Sequence, residues 1–310
     1  MTKYKIFIDG SNGTTGLEIH KRLSKREDIE IQSLPEAQRK NLISRKEMVI
    51  NSDISILCLP DEASKTLVME VENKGRILDA STAHRTGPKW VYGLPELIPE
   101  QRQKIAASSR VCVPGCHASG FILLVRPLIE QNISEPNNIF TGFSLTGYSG
   151  GGKSMIKDYE DMGNLSIRSP GQYGLLQNHK HLPEMRAMAK IEENPIFIPV
   201  VANYYRGMVV TIPLQTALLN KGVGKKELLN IYKDYYSGEG LIQVKECDEL
   251  LIYGDEKAGM DDLIIYVYGS EEHPVVAAVF DNLGKGASGA AIQCMNLMLG
   301  IKENSGLFIG

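Results

Sequence analysis

A short apolar strand, Lys5-Ile6-Phe7-Ile8, runs into Asp9-Gly10-Ser11-Asn12-Gly13-Thr14-Thr15-Gly16, and an amphipathic helix through Leu17, Ile19 and Leu23 follows. No other stretch limits the fold as strongly. Glycines between a strand and a helix permit a tight turn and bring a pyrophosphate close to the first N–H groups of the helix. The spacing is G-x-x-G-x-x-G rather than G-x-G-x-x-G, but the physical reason is the same. Such a turn can be purely structural. Here it is the first strand-to-helix turn of the chain, which predicts dinucleotide binding through Gly10, Ser11, Gly13, Thr14, Thr15 and Gly16.

Further apolar runs at 29–33, 54–59 and 76–79 alternate with helical segments, one of them over 61–72. That order predicts a parallel sheet with helices on both faces. A last strand is expected from residues 105–108 and 111–113, with a turn-rich crossover at 90–97 before it. An NAD site usually carries an acidic residue at the end of the second strand. Here that strand ends at Ser33-Leu34-Pro35, and Arg39-Lys40 follow. Ser33, Arg39 and Lys40 suit a ribose 2′-phosphate, so NADP(H) is expected; otherwise Arg39 and Lys40 are a solvated helix face. Ligands bind beyond the carboxyl ends of strands in such sheets, which places Ser81 and Arg85 within reach of a ligand anion. Arg85 is read equally well as a structural ion pair.

The stretch Val111-Cys112-Val113-Pro114-Gly115-Cys116 turns a strand into a buried helix that runs to about residue 130. Helix N-termini gather unpaired N–H groups and the positive end of the dipole, which lowers a thiol pKa. Cys116 is therefore the expected nucleophile. A catalytic thiol needs a proton acceptor and later a donor. Asn178-His179-Lys180-His181-Leu182-Pro183-Glu184 supplies candidates: His179 and His181 for the proton, and Glu184 to orient an imidazole or contact the substrate. His117 ranks below them, because adjacent residues diverge on a helix.

Beyond residue 130 the texture changes to alternating strands at 138–146, 208–212, 263–268 and 274–280, with one clear helix at 225–236. These predict an α+β domain built on a mostly antiparallel sheet. Its polar islands are a glycine loop at 147–152 with Ser149, expected to be flexible, and Arg206, which either clamps a substrate carboxylate or caps the sheet. The third is the 178–184 stretch above. Asn282 and the Gly284–Gly286 loop are expected at the nicotinamide end of the cofactor. The last, small-residue-rich helix is expected to return to the first domain. Domain bounds are expected at 1–115 with 285–310, and at 116–284.

The net charge of −3 over 310 residues argues against a nucleic-acid binder. No run nears the roughly 18 apolar residues of a membrane helix, and Met1-Thr2-Lys3-Tyr4 lacks a signal segment, so the chain reads as cytoplasmic. Five scattered cysteines make neither a disulfide framework nor a zinc site, and no metal is expected.

In order along the chain, Gly10 to Gly16, Asp79-Ala80-Ser81-Thr82, Pro114-Gly115-Cys116, Gly147 to Lys153, His179 to Glu184 and Asp281 to Ala287 together resemble the shorter form of the N-acetyl-γ-glutamyl-phosphate reductase family. His117 departs from the smaller or amide residue expected after the cysteine. The resemblance implies a Rossmann-type domain followed by a glyceraldehyde-3-phosphate-dehydrogenase-like domain. It also implies NADPH-dependent reduction of N-acetyl-glutamyl 5-phosphate to the semialdehyde through a cysteine thioester, in arginine biosynthesis, by a homodimer or homotetramer. The rival readings are a reductase of N-acetyl-aminoadipyl or aspartyl phosphate, and a dinucleotide-binding sensor without turnover.

Overall fold

The computed structural model describes residues 3–161, 167 and 169–310. The chain divides into two compact units, Met1–Pro114 with Ala287–Leu307, and Gly115–Gly286 with Phe308–Gly310.

The first unit is built on β1 (Tyr4–Asp9), β2 (Ile29–Gln32), β3 (Ile54–Leu57), β4 (Ile77–Asp79), β5 (Val91–Tyr92) and β6 (Arg110–Cys112). They form one sheet in the order β2-β1-β3-β4-β6-β5, every pair parallel. Side chains alternate across a strand, and both faces here are apolar. Ile6, Ile8, Ile54 and Ile56 enter one core with Ala290, Ala291, Ile292 and Met295 of the C-terminal helix α9 (Gly289–Leu299). Phe7 and Leu57 enter the other with Val49, Leu67 and Val71. Val49 lies on α2 (Leu42–Asn51), and Leu67 and Val71 on α3 (Asp61–Val71); α1 (Thr14–Leu23) follows the glycine turn.

Of the last expected strand, only the second part forms, as β6; the first part, 105–108, falls largely in a helix, α4 (Gln101–Ala107). Its sequence, QRQKIAA, is made mostly of good helix formers, and only Ile105 presents a large apolar side chain to the core. The edge place falls instead to Val91–Tyr92, expected as crossover, which pairs with β6.

The second unit begins with α5 (Cys116–Glu130) and continues through β7 (Thr141–Gly147), α6 (Gly152–Glu160), β8 (Gly171–Gln172), α7 (Leu182–Ala189), β9 (Ile196–Ala202), β10 (Met208–Pro213), α8 (Lys225–Tyr235), β11 (Ile242–Glu246), β12 (Leu263–Gly269) and β13 (Pro274–Phe280). Its sheet runs β11-β12-β13-β10-β7-β9-β8. Two neighbour pairs, β11–β12 and β7–β9, are parallel; the rest are antiparallel. The expected architecture of a parallel sheet plus a mostly antiparallel one holds. The glycine loop is not an open coil. It winds into a 3-10 turn, Tyr148–Gly151, and then α6.

Helix α5 is buried from His117 to Ile129. It presses on the sheet closely enough that a Cβ on Gly120 would lie 2.7 Å from a Val210 methyl and 2.8 Å from the Phe280 ring. Pro127 inside the helix has no N–H to give the Leu123 carbonyl. The Tyr236 hydroxyl donates to that carbonyl instead, at 2.6 Å. The buried acceptor is thereby satisfied, and the end of α8 is fastened to α5. Among the described residues, no helix is long and apolar enough to cross a membrane.

Candidate active site

Strand β6 ends at Cys112 and α5 starts at Cys116, so the cysteine stands at the first helical position. Gly115, the N-cap, offers no side-chain oxygen, and the first turn contains no acid. The backbone N–H groups at this end are therefore not consumed by a side-chain cap of α5's own, the arrangement that favours a thiolate or an oxyanion. A turn of π-helix, Gly284–Ser288, closes on the cysteine. A Cβ on Gly286 would stand 2.7 Å from the Cβ of Cys116, so only glycine allows this approach.

Glu184 also holds the backbone at the nucleophile's helix. It is buried on α7, and its Oε2 accepts the Gly115 N–H at 3.1 Å. Its carboxylate thus holds the peptide that introduces Cys116. The His181 Nε2 lies 4.0 Å from Oε1, an ion-pair separation too long for a hydrogen bond.

Three imidazoles meet in this unit. The ring centroids of His117, His179 and His181 lie 4.7–5.5 Å apart, with Phe197 against His117 and His179. Burial pushes His117 down to about 3, helped by the charges of His179 and Lys180, and pushes His179 down to about 4. Both rings are neutral at pH 7. The His179 Nδ1 accepts the His181 backbone N–H at 3.2 Å. A neutral ring has one N–H, so the proton of His179 sits on Nε2 and the ring offers a donor. His117 bridges Ser144 Oγ and Tyr173 OH, each at 2.7 Å. Sequence spacing ranked His117 low and did not mark Tyr173. Neither carries a local signal, since both are recruited by tertiary packing.

Asp281, wholly buried, organises the neighbouring loops. Its Oδ1 accepts the Leu283 and Gly284 N–H groups at 2.8 and 3.2 Å, and its Oδ2 accepts from Gly259 N and Arg206 Nε. Arg206 is thus an anchored cation beside the sheet. Asn282, expected at the cofactor, has its amide spent within this unit. Its Oδ1 takes the Gly207 N–H at 2.8 Å, and its Nδ2 donates to Ser149 Oγ at 2.9 Å. Ser149 is buried, so this pair ties the glycine loop to the end of β13 rather than presenting a polar group to a ligand.

In the first unit, the glycine turn has the shape a dinucleotide needs. Gly10 has φ +84°, and a Cβ there would lie 2.2 Å from the Cys58 carbonyl oxygen; one on Gly16 would lie 2.4 Å from that of Gly10. Thr14 Oγ1, at the start of α1, is buried without a partner. Arg45 binds Asp9 at 2.6 Å, next to Gly10, and leaves its Nη2 buried without one. A hydroxyl and a guanidinium N–H orphaned around an open helix N-terminus fit an anionic ligand. Ser33, Arg39 and Lys40 are exposed beyond β2. Ser81 and Arg85 are committed inward. The Ser81 Oγ donates to Asp79 at 2.7 Å, and Arg85 Nε donates to the Val113 carbonyl at 2.9 Å. Asp79 also takes His84 Nδ1 at 2.6 Å, a ring stacked on Trp90. The loop after β4 is thus knit by its own polar groups, and the geometry favours a scaffolding role for Arg85.

Residues 5–105 match the model of the semialdehyde dehydrogenase NAD binding domain, and residues 116–282 match that of the semialdehyde dehydrogenase dimerisation domain. Proteins named N-acetyl-gamma-glutamyl-phosphate reductase from Brucella ovis and Brucella canis are 42% identical over 308 residues, covering 96% of this chain and 99% of theirs. Among solved structures, aspartate semialdehyde dehydrogenase II from Vibrio cholerae superposes with a TM-score of 0.72 at 13% identity, covering 96% of this chain and 99% of that one. The Francisella tularensis aspartate semialdehyde dehydrogenase gives 0.73 at 14%, covering 96% and 100%. These structures share the fold.

The neutral ring of His117 sets a pH dependence. The unfolded chain binds a proton on this residue below about pH 6.5, whereas the folded chain does not until about 3. Stability is therefore complete above the ordinary histidine range and is lost as pH falls from about 6.5 towards 3, at ~1.4 kcal/mol per pH unit for this ring. Denaturant titrations from pH 7.5 to 4 should show that loss, with a shallower slope in His117→Asn. Equal slopes in the two proteins would refute the assignment.

Proposed function

This chain belongs to the semialdehyde dehydrogenase family, among the N-acetyl-γ-glutamyl-phosphate reductases, and on that premise we propose that it reduces N-acetyl-L-glutamyl 5-phosphate to N-acetyl-L-glutamate 5-semialdehyde, releasing phosphate. The reaction serves arginine biosynthesis, in the cytoplasm. The observation that carries this reading is the thiol of Cys116 at an uncapped helix N-terminus, in the same unit as His179 and His181.

The Cys116 thiolate attacks the acyl carbon, the C–O bond to phosphate breaks, and the sulfur holds the acyl group as a thioester. A reduced nicotinamide dinucleotide, when bound, supplies the hydride that takes the acyl group to the aldehyde level. The carbonyl oxygen gains negative charge in both stages, and the N–H groups opening α5 are the donors for it. His179, with its proton on Nε2, is a second donor. His181, beside the Glu184 carboxylate, accepts the thiol proton and returns one to the oxygen. As the C–S bond breaks His181 takes that proton back from the oxygen, and the semialdehyde leaves with the Cys116 thiolate restored. Gly10, Ser11, Gly13, Thr14, Thr15 and Gly16 would hold the pyrophosphate at the start of α1.

NADP(H) is the dinucleotide we propose, because β2 ends without a carboxylate and Ser33, Arg39 and Lys40 stand exposed beyond it. The protein acts as a homodimer or homotetramer. On the second sheet, the face opposite α5 buries Val209, Ile264 and Val279 within this unit, and Phe143, Leu250 and Leu251 stand exposed on its surface. A second copy of this chain fits such a surface, in keeping with the dimerisation-domain description of its family model.

Cys116→Ser should abolish turnover while NADPH binding persists; turnover at the wild-type rate would refute the nucleophile. Run in reverse with phosphate and NADP, the enzyme should prefer N-acetyl-glutamate semialdehyde to its one-carbon-longer homologue and to the aspartate analogue. Preference for either analogue would reassign the substrate, and no turnover of any would favour a sensor. Arg39→Ala with Lys40→Ala should weaken NADPH binding more than NADH binding, and an unchanged ratio would sink the 2′-phosphate reading. Sedimentation velocity should give a dimer or tetramer that Leu251→Glu weakens, whereas a monomeric native protein would remove the self-association.

A further inference from the structure

The segment that carries His179 leaves the second sheet along the edge of β9. Strand β8 pairs antiparallel with β9, Gly171 opposite Val201 and Gln172 opposite Val200. The Tyr173 N–H extends the ladder by donating to the Pro199 carbonyl at 3.1 Å. Pro199 has no N–H to return, so the pairing weakens there. Two residues further on, the same register would set Leu175 opposite Phe197. Leu175 does not take that place. It and Leu176 stand exposed at the tip of a turn, which the Gln177 N–H closes on the Gly174 carbonyl at 3.0 Å. The side chain of Gln177 fills the gap. Its Nε2 donates to the Phe197 carbonyl at 2.8 Å, and its Oε1 accepts the Phe197 N–H at 2.9 Å. A primary amide carries a donor and an acceptor in one plane, as a peptide does, so it replaces a strand residue at both groups. Phe197 is buried, and its backbone polar groups need those partners. Gln177 itself has φ +53°, left-handed backbone that residues other than glycine seldom adopt. Such strain persists where the surrounding structure over-determines it.

We propose that Gln177 is a positioning residue: by standing in for the missing edge residue opposite Phe197, it fixes where His179 enters the histidine cluster. Two observations tie the clamp to the ring. Asn178 alone separates Gln177 from His179 along the chain, so the clamped residue sets the path into the cluster. The residue it clamps, Phe197, packs its own ring against His179 at 5.2 Å and against His117 at 5.3 Å. The amide therefore holds together the two backbone segments whose side chains meet in that contact. The effect extends to His181, because the His179 Nδ1 accepts the His181 N–H at 3.2 Å. The other titratable groups around His179 are His117 on α5, Tyr173 just after β8, and Lys180 and His181 of its own segment. The inference rests on His179 as a donor in the proposed reaction, but not on the identity of the substrate.

The test follows the nitrogen-15 shifts of His179 against pH in the full chain, with no substrate added, so its outcome is separate from that of the semialdehyde panel. Burial holds the wild-type ring down to about 4. Two variants remove the clamp in different ways. Gln177→Gly suits the left-handed backbone, so strain cannot account for a loss. Gln177→Met keeps the bulk and makes neither bond. Gln177 is exposed, so neither change disturbs a core. Both should raise the His179 midpoint by about one unit, towards the ordinary histidine range, as the ring gains access to water. In the reductase assay both should lower kcat by roughly tenfold to a hundredfold and leave KM for NADPH unchanged. A clamp that served only the sheet edge would lower the melting temperature and leave the His179 midpoint at about 4, and that result would overturn the proposal. Wild-type kcat in both variants would overturn it as well.

Discussion

An α-helix leaves its first N–H groups without partners in its own backbone, and at α5 that deficit coincides with a cysteine. The neighbouring features of the second unit follow from this coincidence. Gly115 caps the helix without a side chain, and the π-turn closes through Gly286, so the cysteine is approached without being covered by a competing acceptor of α5's own. The Gly115 N–H goes to Glu184 on α7, and this fixes the angle at which the chain enters the helix. The sheet sets the other end of the arrangement. Gly120 lets α5 lie against Val210 and Phe280, and Tyr236 satisfies the carbonyl that Pro127 leaves open. A helix held this firmly keeps its N-terminus in one place.

The second constraint is charge. Histidines packed against one another and against Phe197 cannot all carry protons, and burial resolves the conflict by holding His117 and His179 neutral. Neutral imidazoles have direction, a donor on one side and an acceptor on the other. The backbone of His181 sets that direction for His179. The cluster is therefore a set of oriented dipoles rather than a store of positive charge.

Much of this was legible in the sequence. The glycine turn, the apolar parallel strands, the strand-to-helix cysteine and the histidine pair all depend on neighbours a few residues apart, and local spacing reports them. Residues 101–107 misled because Ile105-Ala106-Ala107 reads as an apolar run, although a single large side chain faces the core. Glu184, Asn282, Ser81 and Ser149 are polar residues in polar islands, which spacing alone assigns to ligands. In the folded chain each finds a buried partner, far in sequence or two residues away, and becomes scaffolding. Arg206 shows the same effect, since Asp281, its partner, lies 75 residues on.

By itself the sequence determined the order of elements, the parallel sheet, the cysteine at the strand-to-helix turn and the family, because each follows from periodicity, turn chemistry or motif order along the chain. Only the tertiary structure decided which polar residues face a ligand and which hold the frame. It also decided which nitrogen of His179 keeps its proton, and that His117 and Tyr173 join the histidine cluster. The physical reason is burial. A polar group's role is set by the partners available once water is removed, and those partners are brought together by the sheet rather than by the chain.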